Sequence, residues 1–454
     1  FGSSFGSTPA IALALPELRM ANGGNDPASD GDTGRTLSDY RSLAGGPAPK
    51  ASLAAVTANL ITAGLGVGIL SLPWAMAGAS LLPSIAVTLL VMALNAATIM
   101  ILVQAAERYQ AFDLGSLLSR LPGCWGQGLQ VVCNAFTFVS VFLCLTGYVV
   151  VVADSLEPFF DKLLGQGSAP PGGLTPVRLA LLALGALGAL PLCFLDQRRL
   201  SFTSTLGIGT NVYLFFVVIG LFADQGVAAD CCVWGASAGT ITMFSSLMQC
   251  AIIQMCVLPM YEELENRSPR RFLCAVWIAF VFLAALFSLF ASAAYLAFGA
   301  RVQANVIQDL PGNAFGNVAR VGMVVSVLAV YPLILTSMTA PVRHWEEARA
   351  KGDHSVSRWM TVVVVAGSAA SACGFGQLGT LNQLNGALQV GCFIGLVPGF
   401  AGLFLLDRHT ICWRFAMVSL IVGSAVASFL GLVYTNNSTE DLAAACRWFA
   451  AQAG

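Results

Sequence analysis

Three glycines at every second position, Gly64, Gly66 and Gly68, interrupt the apolar run from Asn59 to Trp74. Each costs a helix roughly 1 kcal/mol against Ala. Pro73 then removes one more helical bond. A small-residue packing face repeats at every fourth position, and only Gly64 and Gly68 keep that spacing. The pattern predicts a helix broken partway along; close packing through small residues is the alternative. A break at membrane depth frees amide N–H groups that can hold a carboxylate and carbonyls that can hold a cation.

Two other runs carry polar groups among apolar ones. Ser245, Ser246, Gln249, Cys250 and Gln254 precede Leu258-Pro259-Met260-Tyr261-Glu262-Glu263-Leu264. Polar side chains at this density face a protein interior or a wet cavity rather than lipid; helix-to-helix hydrogen bonding would explain them equally. Glu262, Glu263 and Glu265 against Arg267, Arg270 and Arg271 read as a solvated inner loop or an inner gate. Further on, Pro332 predicts a kink amid Ser326, Thr336, Ser337 and Thr339. Those hydroxyls could ligate a small cation or back-bond to their own helix.

Enzyme chemistry is poorly provided for. The histidines are His344, His354 and His409, all in loops, and no apolar run has an Asp or Glu near its middle. An intramembrane hydrolase or acyltransferase needs a base or paired carboxylates at depth. A Walker-type phosphate loop is missing, and Asp30-Gly31-Asp32 lies in a polar tail unsuited to a metal site.

The elements that must position these groups follow from composition. Of 454 residues, 57% are hydrophobic and 10% charged, with net charge −1. A soluble domain has about 25% charged residues. A soluble enzyme, a disordered scaffold and a nucleic-acid binder are excluded. Residues 1–50, rich in Gly, Ser, Pro and Asp, read as a disordered cytosolic tail. The start at Phe1 rather than Met leaves open where the natural N-terminus lies. Apolar runs then predict eleven membrane helices near 53–80, 82–105, 127–152, 176–195, 201–222, 237–260, 272–298, 315–340, 359–377, 385–406 and 412–433, since lipid tolerates no open backbone. Between the second and third, Tyr109, Phe112, Leu117, Leu118 and Leu121 recur at helical spacing among Arg108, Asp113, Ser116 and Arg120, as in a short helix lying at the inner interface.

With the N-terminal tail inside, only Lys162, Arg178, Arg301, Arg320 and Arg447 fall outside, which leaves 17 of the 22 basic residues within. The positive-inside rule therefore favours a cytosolic N-terminus and a C-terminal segment, 434–454, on the outer side. Ten of the 13 cysteines lie in or beside spans, where they read as packing residues. Cys231, Cys232 and Cys446 fall outside, where a disulfide or an exposed free thiol is equally at home.

At this point the residues resemble a known family. The run Asn59 to Trp74 is similar to the first-helix motif of the amino acid/auxin permease family: Asn, then Gly-x-Gly, Ile/Leu-Leu and x-Leu-Pro-aromatic. Leu258-Pro259-Met260-Tyr261-x-Glu263-Leu264-x-Asn266-Arg267-Ser268 resembles the end of the sixth helix in its sodium-coupled neutral amino acid transporter branch. Ala294-Tyr295-Leu296-x-Phe298-Gly299 and Tyr331-Pro332-Leu333 are also similar, so the likeness covers about residues 52–433.

The resemblance implies an all-α fold over 51–433, with two inverted five-helix repeats of the LeuT/APC kind plus one extra helix. Helices one and six would be unwound around the substrate. It implies a secondary active transporter of amino acids, neutral ones first, working by alternating access. The substrate would meet Thr62, Gly64, Gly66, Gly68, Ser246, Gln249, Cys250 and Gln254. Its carboxylate would lie on the amides near Gly64–Gly68 and its amino group on carbonyls of helices one and six. A co-transported Na+ or H+ would use Asn59, Thr62, Ser326 and Thr336. Three positions depart from the sodium-coupled pattern: Thr62 replaces an Asn, Gln254 a His, and apolar Leu328–Val330 the place of a Thr. No resident cofactor, nucleic acid or obligate protein partner is expected. The membrane would be the plasma membrane or a vacuolar or other endomembrane. A permease fold that binds an amino acid and signals without transport is the alternative.

Asn436 and Asn437 begin two overlapping sequons on the outer side, and Asn266 begins one on the inner side. In a glycosylating host, glycopeptide mapping should find glycan at Asn436 or Asn437 and never at Asn266. Glycan at Asn266 would invert the orientation.

Overall fold

A computed structural model describes residues 50–123, 125–164, 173–194, 201–235, 237–348, 355–408, 410–434 and 446–449. The tail up to residue 49, His354, His409 and the paired sequons lie outside the described residues. The chain is built from helices: α1a (Leu53–Gly64) and α1b (Val67–Ala79), α2 (Leu81–Tyr109), α3 (Trp125–Leu164), α4 (Pro176–Leu192), α5 (Ser201–Gln225), α6a (Gly239–Ala251) and α6b (Gln254–Glu263), α7 (Pro269–Phe298), α8 (Ala314–Ala348), α9 (Ser355–Gly374), α10 (Leu378–Leu405) and α11 (Ile411–Val433).

Nine of the described helices are long and apolar enough to cross a membrane, and the bent pair α1a–α1b makes a tenth. The expected eleven is reached only if α4 also crosses. At 17 residues and 1.5 Å per residue, α4 is about 25 Å long, short of the ~30 Å hydrocarbon core.

The order of the elements carries the symmetry. Helices α1 and α6 are both interrupted, and each opens a set of five. The two longest helices, α3 and α8, hold the third place in each set and pack on one another. An odd number of spans per set turns the second copy upside down in the membrane. Helix α11 stands outside both sets and packs on α10.

Close approach between helices rests on missing side chains. A Cβ on Gly239 would overlap the Gly78 carbonyl of α1b, and one on Gly386 would overlap the Ser245 carbonyl of α6a. Backbone therefore meets backbone where α6a crosses α1b and α10. Helix α10 departs from α-geometry in two π-helical stretches, Val390–Leu396 and Ala401–Leu405. Such bulges shift the hydrogen-bond register and are frequent near functional sites.

The expected interface helix between α2 and α3 is present as Leu114–Leu118, capped by the Asp113 carboxylate accepting from Ser116 N at 2.8 Å. Leu117, Leu118 and Leu121 are buried, so its apolar face packs on protein.

Two of the basic residues expected at the outer surface are buried instead. Arg178, 1% exposed, donates to Asp154 and Glu157 at 2.8 Å each and to Gly376 O at 3.0 Å. Asn305 Nδ2 reaches the other Asp154 oxygen at 2.9 Å. Arg320 donates to Pro311 O at 3.2 Å and also to Leu310 O. A guanidinium survives burial when carboxylates and carbonyls fill its fork, and no sequence count registers that. The α7–α8 connection is thereby fastened to α3, α4 and α8, and Val306 N donates to Leu70 O of α1b at 3.0 Å.

A disulfide joins Cys232 to Cys446, and Cys231 is free. It links strand β1 (Cys232–Gly235) to antiparallel β2 (Cys446–Phe449). On the opposite face, Glu107 at the end of α2 accepts from Tyr261 Oη at 2.8 Å and pairs with Arg267 Nε at 3.2 Å. Ala51 bridges to Leu264, with Ala51 N donating to Glu263 O at 2.8 Å.

Replacing Arg178 by Ala leaves two carboxylates without their cation and should cost about 3–5 kcal/mol, read as a fall in the detergent melting temperature. Burial also pushes the Asp309 carboxyl in the α7–α8 connection up to about 7, against a lowering bond from Gln303 N. As pH rises from about 4 to 7 the unfolded chain gives up this proton first, so stability falls across that window. Asp309→Asn should therefore raise the melting temperature at about pH 8 and bring little gain at about pH 4; equal gains at both would refute the shift.

Candidate functional site

The break in α1 lies where the glycines put it. Leu65 N still bonds Ile61 O and Thr62 O at 3.1 and 3.2 Å. Gly66 is extended, at φ −104° and ψ −176°, and has no side chain to cap the next turn. A 3-10 turn then restarts the helix at Val67, with an overall bend of 45°. The amides of Gly66, Val67 and Gly68 head this half-helix and have no acceptor within it.

The three glycines do different jobs. A Cβ on Gly64 would lie 2.7 Å from Leu283 Cδ1 of α7, and one on Gly68 would lie 2.7 Å from Cys250 Sγ of α6a. These two serve close packing. A Cβ on Gly66 would meet nothing within 4 Å. The space beside Gly66 is open.

Helix α6 breaks at Ile252–Ile253. Ile252 N closes on Met248 O at 3.0 Å, which leaves the carbonyls of Gln249, Cys250 and Ala251 without helical donors. The positive end of one half-helix and the negative end of another thus come together where Gly68 meets Cys250. From Thr62 to Ser71 and from Ser246 to Cys256 the sequence has no charged residue.

The remaining candidates divide. Ser246, one turn before Cys250, is fully buried and its hydroxyl has no partner. Thr62 in the last turn of α1a back-bonds to Ala58 O at 2.9 Å. Gln249 points to α10, where its Oε1 accepts from Gln389 Nε2 at 2.9 Å. Gln254 lies beyond the gap and turns to α2, donating to Asn95 Oδ1 at 2.9 Å and Thr98 Oγ1 at 3.1 Å.

The cation candidates do not converge in this structure. Asn59 and Thr62 are a turn apart on α1a, while Ser326 of α8 faces Gly207 of α5. Thr336 back-bonds to Pro332 O at 2.8 Å. Ten residues of helix, about 15 Å, separate it from Ser326.

Helix α10 supplies groups that the sequence spans hid. Asn382 Nδ2 donates to Ser71 Oγ at 2.8 Å, and Ser71 Oγ donates to Gly68 O at 3.0 Å. Asn385 and Gln389 follow on the same helix. Starting this span at 385 placed Asn382 in a loop; the amide spacing 382, 385, 389 is the helical signal that would have found them.

Comparison with known proteins fits this geometry. A family model described as transmembrane amino acid transporter protein matches residues 49–436. Solute carrier family 38 member 8 of Homo sapiens is 27% identical over 61% of this chain, and the chain spans 65% of that relative's length. A Danio rerio protein named as sodium-coupled neutral amino acid transporter 11 is 21% identical over 86% of this chain and 87% of its own. A solved structure of Mhp1 in an inward-facing conformation aligns with a TM-score of 0.58 at 13% identity, over 89% of this chain and 93% of that one. That likeness carries the fold alone.

Gly66→Ala should leave the melting temperature nearly unchanged, whereas Gly68→Ala should lower it through a forced shift of Cys250, at a cost of roughly 1–3 kcal/mol. Equal effects would mean that the two glycines see the same packing.

Proposed function

The chain belongs to the transmembrane amino acid transporter protein family, and from that premise we propose that it carries neutral amino acids across a membrane by alternating access. The observation that carries this reading is the pair of facing helix breaks. The substrate carboxylate lies on the amides of Gly66–Gly68 at the head of α1b. Its ammonium lies on the free carbonyls at the end of α6a, with Ser246, Cys250 and Thr62 around it. Half-helix dipoles then hold a zwitterion without any fixed charge. The lack of charged side chains across both breaks supports a neutral substrate, since a charged side chain at this depth needs a partner.

Transport follows from the two sets of five helices rocking about the shared site. The fastened α7–α8 connection closes one face of α1b, and the Glu107–Tyr261–Arg267 cluster ties α2 to α6b on the other. Each must loosen in turn. Coupling runs through sodium or protons, with Asn59 and Thr62 of α1a joined by either Ser326 or Thr336, since these two hydroxyls stand about 15 Å apart on α8 and cannot reach one ion together. The disulfide supports placing the Cys232–Cys446 face outside or in a lumen, where thiols oxidise, and the N-terminus in the cytosol. Plasma membrane and endomembranes both suit that orientation.

Purified protein in liposomes should take up labelled neutral amino acids under a sodium gradient or a pH gradient, and less under neither. Gly66→Val should lower uptake roughly tenfold or more with its folding intact, because the new side chain enters space where no protein atom lies. Normal uptake by Gly66→Val would sink the site. Binding without uptake of any amino acid would favour a sensor.

A further inference from the structure

Between Ser245 and Ala251 every residue of α6a is buried except Gln249, which keeps partial exposure. This helix is packed by α1b, α2, α10 and α11, and Gln249 lies on the face that meets α10. Cys250, the next residue, abuts Gly68 at the break. Gln249 therefore lies at the edge of the break, one helical step from the backbone groups assigned to the substrate.

Its orientation is dictated from a distance. Ser140 O of α3 is a backbone carbonyl and can only accept. Asn385 must therefore present Nδ2 to it, at 3.0 Å. That turns Asn385 Oδ1 toward Gln389, whose Nε2 donates to it at 3.3 Å. The same Nε2 donates to Gln249 Oε1 at 2.9 Å. Flipping any one amide would set donor against donor or acceptor against acceptor along the relay. The close crossing at Gly386 holds α10 near enough for this reach. With its oxygen turned to Gln389, Gln249 holds its amide N–H groups on the other branch of the carboxamide, away from that bond. Gln389, 5% exposed, leaves its own Oε1 buried without a partner. Simple helix-to-helix bonding gives no reason to keep that orphan.

We propose that Gln249, set by the Gln389–Asn385–Ser140 relay, is a specificity-determining residue whose amide nitrogen reads a hydrogen-bond acceptor on the side chain of the carried amino acid. The favoured substrates are then uncharged side chains bearing a carbonyl or hydroxyl oxygen rather than purely apolar ones of the same size. This rests on the transporter reading above and adds to it which side chain is selected. A site built to hydrogen-bond a polar group rejects the isostere that lacks it more strongly than an apolar pocket rejects an added hydroxyl.

The test compares matched pairs, glutamine with methionine and threonine with valine, in liposomes holding the full chain. Wild-type kcat/KM should favour the polar member of at least one pair. Gln249→Met should cut that ratio by roughly tenfold or more. Gln389→Met, which touches no substrate, frees the Gln249 amide to flip and should cut the ratio too, while Gln389→Glu keeps an acceptor at the wrong end and should not rescue it. A wild-type ratio near one, or variants that slow both members equally, overturns the proposal while leaving transport intact. Failure of wild-type protein to take up any amino acid overturns the transporter reading and this inference with it. Should Gln249→Met not fold, the wild-type ratio and Gln389→Met still decide.

Discussion

A backbone amide in lipid has no water to fall back on, and the rest of this structure depends on that constraint. Each unsatisfied group in hydrocarbon costs several kcal/mol. The chain nevertheless interrupts two helices, α1 at Gly66 and α6 at Ile252–Ile253. Such gaps are tolerable only inside a protein shell or beside a wet space. The shell is supplied by α2, α7, α10 and α11, which surround the broken pair. What the free amides and carbonyls lose in helix bonds they can regain from a zwitterion, so the proposed binding site and the broken helices are one feature seen from two sides.

Glycine serves that shell in opposite ways. Gly78 against Gly239, and Gly386 against the Ser245 carbonyl, bring backbones into contact where a methyl would not fit. These contacts fix where α6a can sit. Gly66 instead keeps a region clear. Side-chain amides then fill gaps between the fixed backbones: Asn382 reaches Ser71, and Gln389 reaches Gln249. Rigid close packing at one set of glycines is what gives a single open glycine its use.

Much of this was legible in the residue pattern, and what was missed has a common cause. Apolar runs located most helix ends to within a few residues, because lipid imposes one chemistry on each span, but α3 and α8 run past their expected ends to Leu164 and Ala348, and α10 begins at Leu378 rather than 385. The spacing of Gly64, Gly66 and Gly68 located the first break. It also posed a choice between breaking and packing that turns out to be divided among the three positions. The break at Ile252–Ile253 has no glycine or proline to mark it and was legible only through family likeness. Arg178 and Arg320 looked like solvated outer charges, since a count of basic residues sees neither Asp154 nor the Leu310 and Pro311 carbonyls folding over them. Gln249 and Gln254, five residues apart, looked alike but turn to α10 and α2 on either side of the gap.

The Cys232–Cys446 bond has a mechanical meaning. Its two ends are 214 residues apart, and everything from α6a through α11 lies between them. The second half of the molecule is thus a covalent ring, closed at a single clasp on one face. Its entry and exit strands cannot separate there, so on that face the two ends of this half move together. The first half has no such clasp among the described residues, so the two inverted sets, alike in fold, differ in whether their ends are tied.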